Sequence, residues 1–140
     1  MLKVQTEELQ FDLYSNQFIP LTTNADMLDR IRLQGLFDKH FSGGAICHVN
    51  IEQKIEETSV IEDLIKTCAK MGVVYWAVNY NIQRCKNDHI TVGKGTSCSI
   101  CGEKIVDNFT RVVGYLTNTK NWNKKRREVD YPVRQFYSMD

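Results

Sequence analysis

A chain of 140 residues has the size of one ordinary domain, and 42% hydrophobic with 25% charged residues is the mix of a packed globular fold, not of a disordered chain. A net charge of +1 supplies no global field towards nucleic acid or membrane, and no run of about 18 apolar residues is available to span a bilayer. Residues 1–8 are charged too early for a secretory signal, and the cysteine count of five is odd, so a cytoplasmic protein without a disulfide framework is expected.

Residues 1–20 show no clear period, and Pro20 closes them. Thr22, Thr23 and Asn24 offer N-cap chemistry, with Asp26 placed for a first turn. Met27, Leu28, Ile31 and Leu33 then lead to Gly35, which predicts a helix over roughly 24–40. Ser42-Gly-Gly44 breaks the pattern. Residues 45–51, short and rich in β formers, predict a strand. Ser59 with Glu62 three residues on reads as a capping box. Val60, Leu64 and Cys68 form one apolar row, and Ile61, Ile65 and Ala69 the next. Gly72 suits a left-handed C-cap, and residues 73–78 read as a fully buried strand. Strand, helix and strand make a βαβ unit with parallel strands and a right-handed crossover. One such unit cannot cover both faces of its sheet, so residues 1–80 point to a larger sheet. Cys47 and Cys68 sit in apolar runs and read as small hydrophobes.

Beyond Tyr80 glycine and cysteine rise. Cys85, His89, Cys98 and Cys101 have the spacing C-x3-H-x8-C-x2-C. Four nitrogen and sulfur donors in two close pairs suit tetrahedral zinc, and a filled shell means a structural site. Gly102 allows a tight turn after the second pair, and Gly93 with Gly95 is expected where a ribbon hairpin turns. Asp88 or water is an alternative fourth ligand to His89. A redox role for Cys98 and Cys101 would want a strand-to-helix junction instead of a glycine-flanked hairpin. The tail is basic and aromatic around Trp122 and Lys124-Lys-Arg-Arg127, diluted by Glu128 and Asp130.

The segment Thr110-Arg-Val-Val-Gly-Tyr-Leu116 places one glycine among β-branched and aromatic residues. By composition alone it is a strand with a bulge or a close backbone approach. It also closely resembles the glycyl-radical motif of anaerobic (class III) ribonucleoside-triphosphate reductases. Asn121-Trp-Asn123 and Arg126-Arg-Glu128 resemble that family's terminal tail. Upstream, Gln17-Phe-Ile-Pro20, Arg30-Ile-Arg-Leu-Gln-Gly35, Phe41-Ser-Gly-Gly44 and Asn79-Tyr-Asn81 are similar to it as well, in the correct order over about residues 11–137. The chain departs from the family in two ways. Many members have four cysteines where this chain has Cys85, His89, Cys98 and Cys101, and the family's catalytic subunit is several times longer.

The resemblance implies an α/β fold: the terminal βαβ portion of a ten-stranded α/β barrel over 1–82, a zinc ribbon over 83–106, and a glycyl-radical loop with tail over 107–140. It implies a radical on Gly114, made by a separate activating enzyme that uses S-adenosylmethionine and an iron–sulfur cluster. Structural zinc on Cys85, His89, Cys98 and Cys101 would anchor the loop. Arg111 and Tyr115 would position the glycine. The cysteine that becomes a thiyl radical belongs to the missing barrel part, so neither Cys47 nor Cys68 takes that role. Expected partners are that barrel part, the activating enzyme and a ribonucleoside triphosphate, with no membrane and no nucleic acid. Two alternatives stay open: a free-standing radical carrier that restores a damaged reductase, and a zinc-ribbon binding module for nucleic acid.

Overall fold

The computed structural model describes residues 15, 17–43, 45–112 and 114–139. Residues 1–8, and Gly44 and Val113 of the motifs, lie outside the described residues. The fold is mixed α/β, in an α/β layer and an antiparallel sheet.

The layer begins with helix α1, Met27–Asp38. The helix starts after Asp26, and Asp26 Oδ1 accepts from the Leu28 N–H at 2.8 Å. Asp26 is therefore the cap itself and not a first-turn residue, because its extended backbone turns the carboxylate back onto the free amides. Strand β1, Cys47–Ile51, runs parallel to β2, Trp76–Tyr80, in a register from Cys47 opposite Trp76 to Ile51 opposite Tyr80. Between them lies α2, Thr58–Lys70. The βαβ order and the parallel pairing are as expected.

Two expectations are corrected, the capping box and the extent of the second strand. Ser59 lies inside α2, whose N-cap is Glu57 without a side-chain cap bond, so the capping box does not form. The row of Leu64 and Cys68 is buried, but Ile61 and Ile65 are exposed. The second strand starts at Trp76 instead of Val73 and is mostly half-buried, with Val74 78% exposed. Gly72 does end α2 in the left-handed region at φ +83°.

β1 is buried along its whole length. Its alternation sends Cys47, Val49 and Ile51 into a core with Ile31, Leu64, Cys68 and Val73. His48 and Asn50 face the other way, where Asn79 Nδ2 donates to Asn50 Oδ1 at 2.7 Å. The edge of β1 away from β2 is also occupied. The Gln17 side-chain amide bonds the Ile46 carbonyl and the His48 N–H, and Tyr137 of the tail bridges Ile51 in parallel. Buried Arg30 ties the segment before α1 to the tail. It donates to the Ile19 and Pro20 carbonyls at 2.7 and 3.0 Å and to the Tyr137 hydroxyl.

The antiparallel sheet has the order β4–β3–β5–β6, with β3 Ile82–Cys85, β4 Ile90–Val92, β5 Ile105–Arg111 and β6 Leu116–Asn118. A short 3-10 turn, Thr119–Asn121, a π-helical turn, Arg126–Asp130, and a second 3-10 turn, Tyr131–Val133, lead back to the layer. No helix among the described residues is long and apolar enough to cross a membrane.

Candidate functional site

Two tight turns at one end of the antiparallel sheet carry the metal candidates. In the first, the Asp88 N–H donates to the Cys85 carbonyl at 3.1 Å and the Cys85 N–H to the His89 carbonyl at 3.2 Å. Asp88 closes it at φ +60°, the left-handed position of a three-residue hairpin loop. In the second, the Gly102 N–H donates to the Cys98 carbonyl at 2.8 Å and the Cys98 N–H to the Glu103 carbonyl at 2.7 Å. Gly102 stands at φ +75°, which a side chain rarely adopts. Pairing of Cys85 with Ile105 and the Lys86 N–H bond to the Lys104 carbonyl set the turns side by side.

The ligand atoms of Cys85, His89, Cys98 and Cys101 consequently lie within 4.8 Å of one another. Cys85 Sγ is 3.8 Å from Cys101 Sγ, and Cys98 Sγ is 3.9 Å from His89 Nδ1. A tetrahedron with zinc–sulfur bonds of about 2.3 Å has edges of about 3.8 Å, so the donor set fits zinc. Asp88, the alternative ligand, turns away to Arg84 at 3.3 Å. Burial works against a charge on Cys98, but N–H bonds from Ile100 and Cys101 bring its thiol down to about 6. At Cys101 the Glu103 N–H favours thiolate, yet desolvation and the neighbouring thiols hold the pKa up. A dication removes that conflict between crowded thiolates.

Gly93 and Gly95 do not make the hairpin turn, which falls at 86–88. They follow β4, where side-chain amides bind their carbonyls: Asn81 to Gly93 at 2.5 Å and Gln83 to Gly95 at 2.6 Å.

At the other end of the sheet, β5 and β6 are joined by the turn that carries Gly114. The Val112 N–H donates to the Tyr115 carbonyl at 3.1 Å, and Arg111 Nη1 donates to the Gly114 carbonyl at 2.5 Å. Tyr115 is 76% exposed and Leu116 is exposed beside it. The φ of Gly114 lies outside the left-handed region, and a Cβ built there would meet none of the described residues within 4 Å beyond its chain neighbours. The bulge or close approach suggested by composition is therefore not the reason for glycine within this chain. The cysteine cluster and Gly114 are not brought together; they occupy opposite ends of β5.

Cys47 and Cys68 are buried in the layer, with thiols pushed up to about 12 and about 11, chiefly by desolvation, as inert packing groups should be. Sequence reasoning missed four residues behind the Gly114 turn. Asn79 Oδ1 accepts from Thr110 Oγ1 and the Arg111 N–H, both at 3.2 Å. Arg134, paired with Asp130, reaches the Arg111 carbonyl at 2.6 Å. His48 is buried with both ring nitrogens unpartnered among the described residues, and desolvation, then Arg111 and Arg134, lower its pKa to about 4. Only the Asn79 segment carried a signal, its similarity to family sequence. Asp130 and Arg134 are a local pair four residues apart, but nothing local links that pair, or His48, to Arg111.

The family model for anaerobic ribonucleoside-triphosphate reductase matches residues 2–137. A solved anaerobic ribonucleotide reductase superposes with a TM-score of 0.80 at 43% identity, over 94% of this chain and 21% of that one. The Thermotoga maritima anaerobic ribonucleotide reductase solved with MES in the active site gives 0.69 at 40% identity, over 84% and 19%. The same enzyme in complex with dATP and CTP gives 0.66 at 45% identity, over 87% and 20%. No curated protein sequence matches. The chain spans about a fifth of the length of these solved relatives. With the family model running over nearly its whole length, the chain belongs to the anaerobic ribonucleoside-triphosphate reductase family.

Proposed function

We propose that this chain is the C-terminal, radical-bearing part of an anaerobic ribonucleotide reductase, with Gly114 as the residue that stores the unpaired electron. One observation supports this reading above the others. Gly114 is half-buried on a turn beside exposed Tyr115, where neither its backbone angle nor the described residues around it ask for glycine, so the missing side chain serves something outside this chain's own packing. A glycine α-radical is planar, free of Cβ crowding, and spread over the flanking amide and carbonyl. The carbonyl of Gly114 is held by Arg111, which fixes the plane over which the electron would spread.

In the reaction so inferred, an activating enzyme using S-adenosylmethionine and an iron–sulfur cluster takes one hydrogen atom from the Gly114 α-carbon. The radical then takes a hydrogen atom from a cysteine thiol of the barrel-bearing partner. The glycine C–H is restored, and a thiyl radical is left to attack a ribonucleoside triphosphate. The layer of α1, β1, α2 and β2 supplies the last part of that barrel. Zinc on Cys85, His89, Cys98 and Cys101 is structural; it ties the far end of the ribbon whose other end carries Gly114.

The test is anaerobic activation of the chain with its barrel-bearing partner and the activating enzyme. Electron paramagnetic resonance should show a doublet from the single remaining α-hydrogen, and Gly114→Ala should abolish signal and turnover. Air should then cut the backbone at residue 114. An intact chain after air exposure, or a cut elsewhere, would overturn the assignment.

A further inference from the structure

We infer that Arg134, oriented by Asp130, is the positioning residue that sets where the Gly114 turn stands; its functional meaning rests on reading Gly114 as the radical site. The Arg134 side chain is 2% exposed. Its Nε and Nη2 donate to Asp130 Oδ1 and Oδ2 at 2.9 and 2.7 Å, a fork that fixes the plane of the guanidinium. The donors left over point at the start of the turn. Nη1 reaches the Arg111 carbonyl at 2.6 Å and Nη2 the Val112 carbonyl at 3.2 Å.

The same guanidinium lies 4.8 Å from the centre of the Trp122 ring, and Trp122 Nε1 donates to Thr117 Oγ1 of β6 at 2.7 Å. Arg134 thus holds β5 directly and β6 through Trp122, one strand on each side of Gly114. Asn79 completes the hold by taking the Arg111 N–H. The peptide groups on both sides of the Arg111 α-carbon are therefore fixed, one from the α/β layer and one from the tail, while its side chain reaches forward to Gly114. β5–β6 pairing ends at Arg111 opposite Leu116, so beyond it the carbonyls need other donors, and a planar fork meets two of them at once. Lysine, with a single ammonium centre, cannot reproduce this geometry. Hydrogen-atom transfer depends steeply on approach distance, and a misplacement of about 1 Å can cost about 100-fold.

The test has two arms, using Arg134→Lys and the milder Asp130→Asn. In the chain alone, hydrogen exchange read by mass spectrometry should quicken about tenfold in the peptide spanning 110–117, with exchange across 85–102 and metal content unchanged. In the activated complex both variants should keep the radical doublet, while turnover per unpaired spin falls about 10- to 100-fold and KM stays within about twofold. A residue that only stabilised the fold would lower the number of spins but not the turnover of each. Wild-type turnover per spin, or exchange quickened evenly along the chain, overturns the inference. Should Arg134→Lys not fold, Asp130→Asn decides. Should even the wild-type chain give no doublet, the reading of Gly114 falls, and the exchange arm alone decides whether Arg134 holds the turn.

Discussion

A methyl group on residue 35 would overlap the carbonyl oxygen of Met71, the C-cap of α2. It would also stand 2.7 Å from the Met71 carbonyl carbon. The two helices of the layer approach through bare backbone there. Gly35→Ala gains about 1 kcal/mol of helix propensity but must displace main chain, which costs about 1–3 kcal/mol or more. The expected result is a net loss of stability, seen as a lower urea midpoint at unchanged slope. Gly43→Ala, where an added Cβ meets nothing within 4 Å, should leave the midpoint alone.

Metal content separates the four donors. The wild-type chain should hold one zinc by elemental analysis. Cys98→Ser should lose it and loosen the sheet beyond residue 82, because binding and folding are linked where thiolates crowd. His89→Ala should weaken binding less, since water can take the position of a neutral ligand. Zinc retained in full by Cys98→Ser would remove the cluster as a metal site.

His48 gives a pH signature. The unfolded chain takes up its proton near pH 6.5, whereas the folded chain resists until about 4, because burial and then Arg111 and Arg134 oppose the charge. Stability from His48 is thus complete above about pH 6.5 and drains away as pH falls towards 4, by about 3 kcal/mol across the window. Denaturant titrations of wild type and His48→Leu at several pH values should diverge over that range. Parallel curves would show that His48 does not titrate late.

Asp107 acts lower on the pH scale. Its carboxylate accepts from Asn118 at 2.9 Å, Arg84 Nε at 3.0 Å and Lys120 at 3.0 Å, and these hold it well below the usual carboxylate range, Asn118 foremost. It joins β3, β5 and the segment after β6. The stability it gives is present above about pH 4 and lost as pH falls below it. Asp107→Asn should lower the melting temperature at neutral pH and flatten its dependence below pH 4. Unchanged melting would mean the three contacts are replaced by water without loss.

What was legible in the sequence was local. The spacing of Val60, Leu64 and Cys68, the glycine at 72 and the donor spacing of Cys85 to Cys101 each act within a few residues. The structure places them as expected, apart from the helix caps. Asp26 displaced Asn24 because one carboxylate in extended backbone decides where a helix begins, and several polar residues in a row qualify. The cysteine–histidine cluster was readable because a turn fixes the geometry of the residues that flank it. Arg134 and Tyr137 were not readable. Their partners, Arg111 and Arg30, lie 23 and 107 residues away, and no period connects such distances. The exposed Val74 was read as part of a fully buried strand because composition reports that a surface is apolar, not what covers it.

The bond between Arg30 and Tyr137 also imposes an order of events on synthesis. β1 is made before Tyr137, so part of its edge away from β2 waits for a later segment to bridge it. The excursion from β3 to Arg134 can meanwhile form by itself, since its pairings are between near neighbours. Only when Tyr137 arrives does Arg30 of α1 gain the hydroxyl it holds. The α/β layer then shuts like a clasp on an excursion already made, and Gly114 is carried on a structure whose two stems are secured in the same closing step.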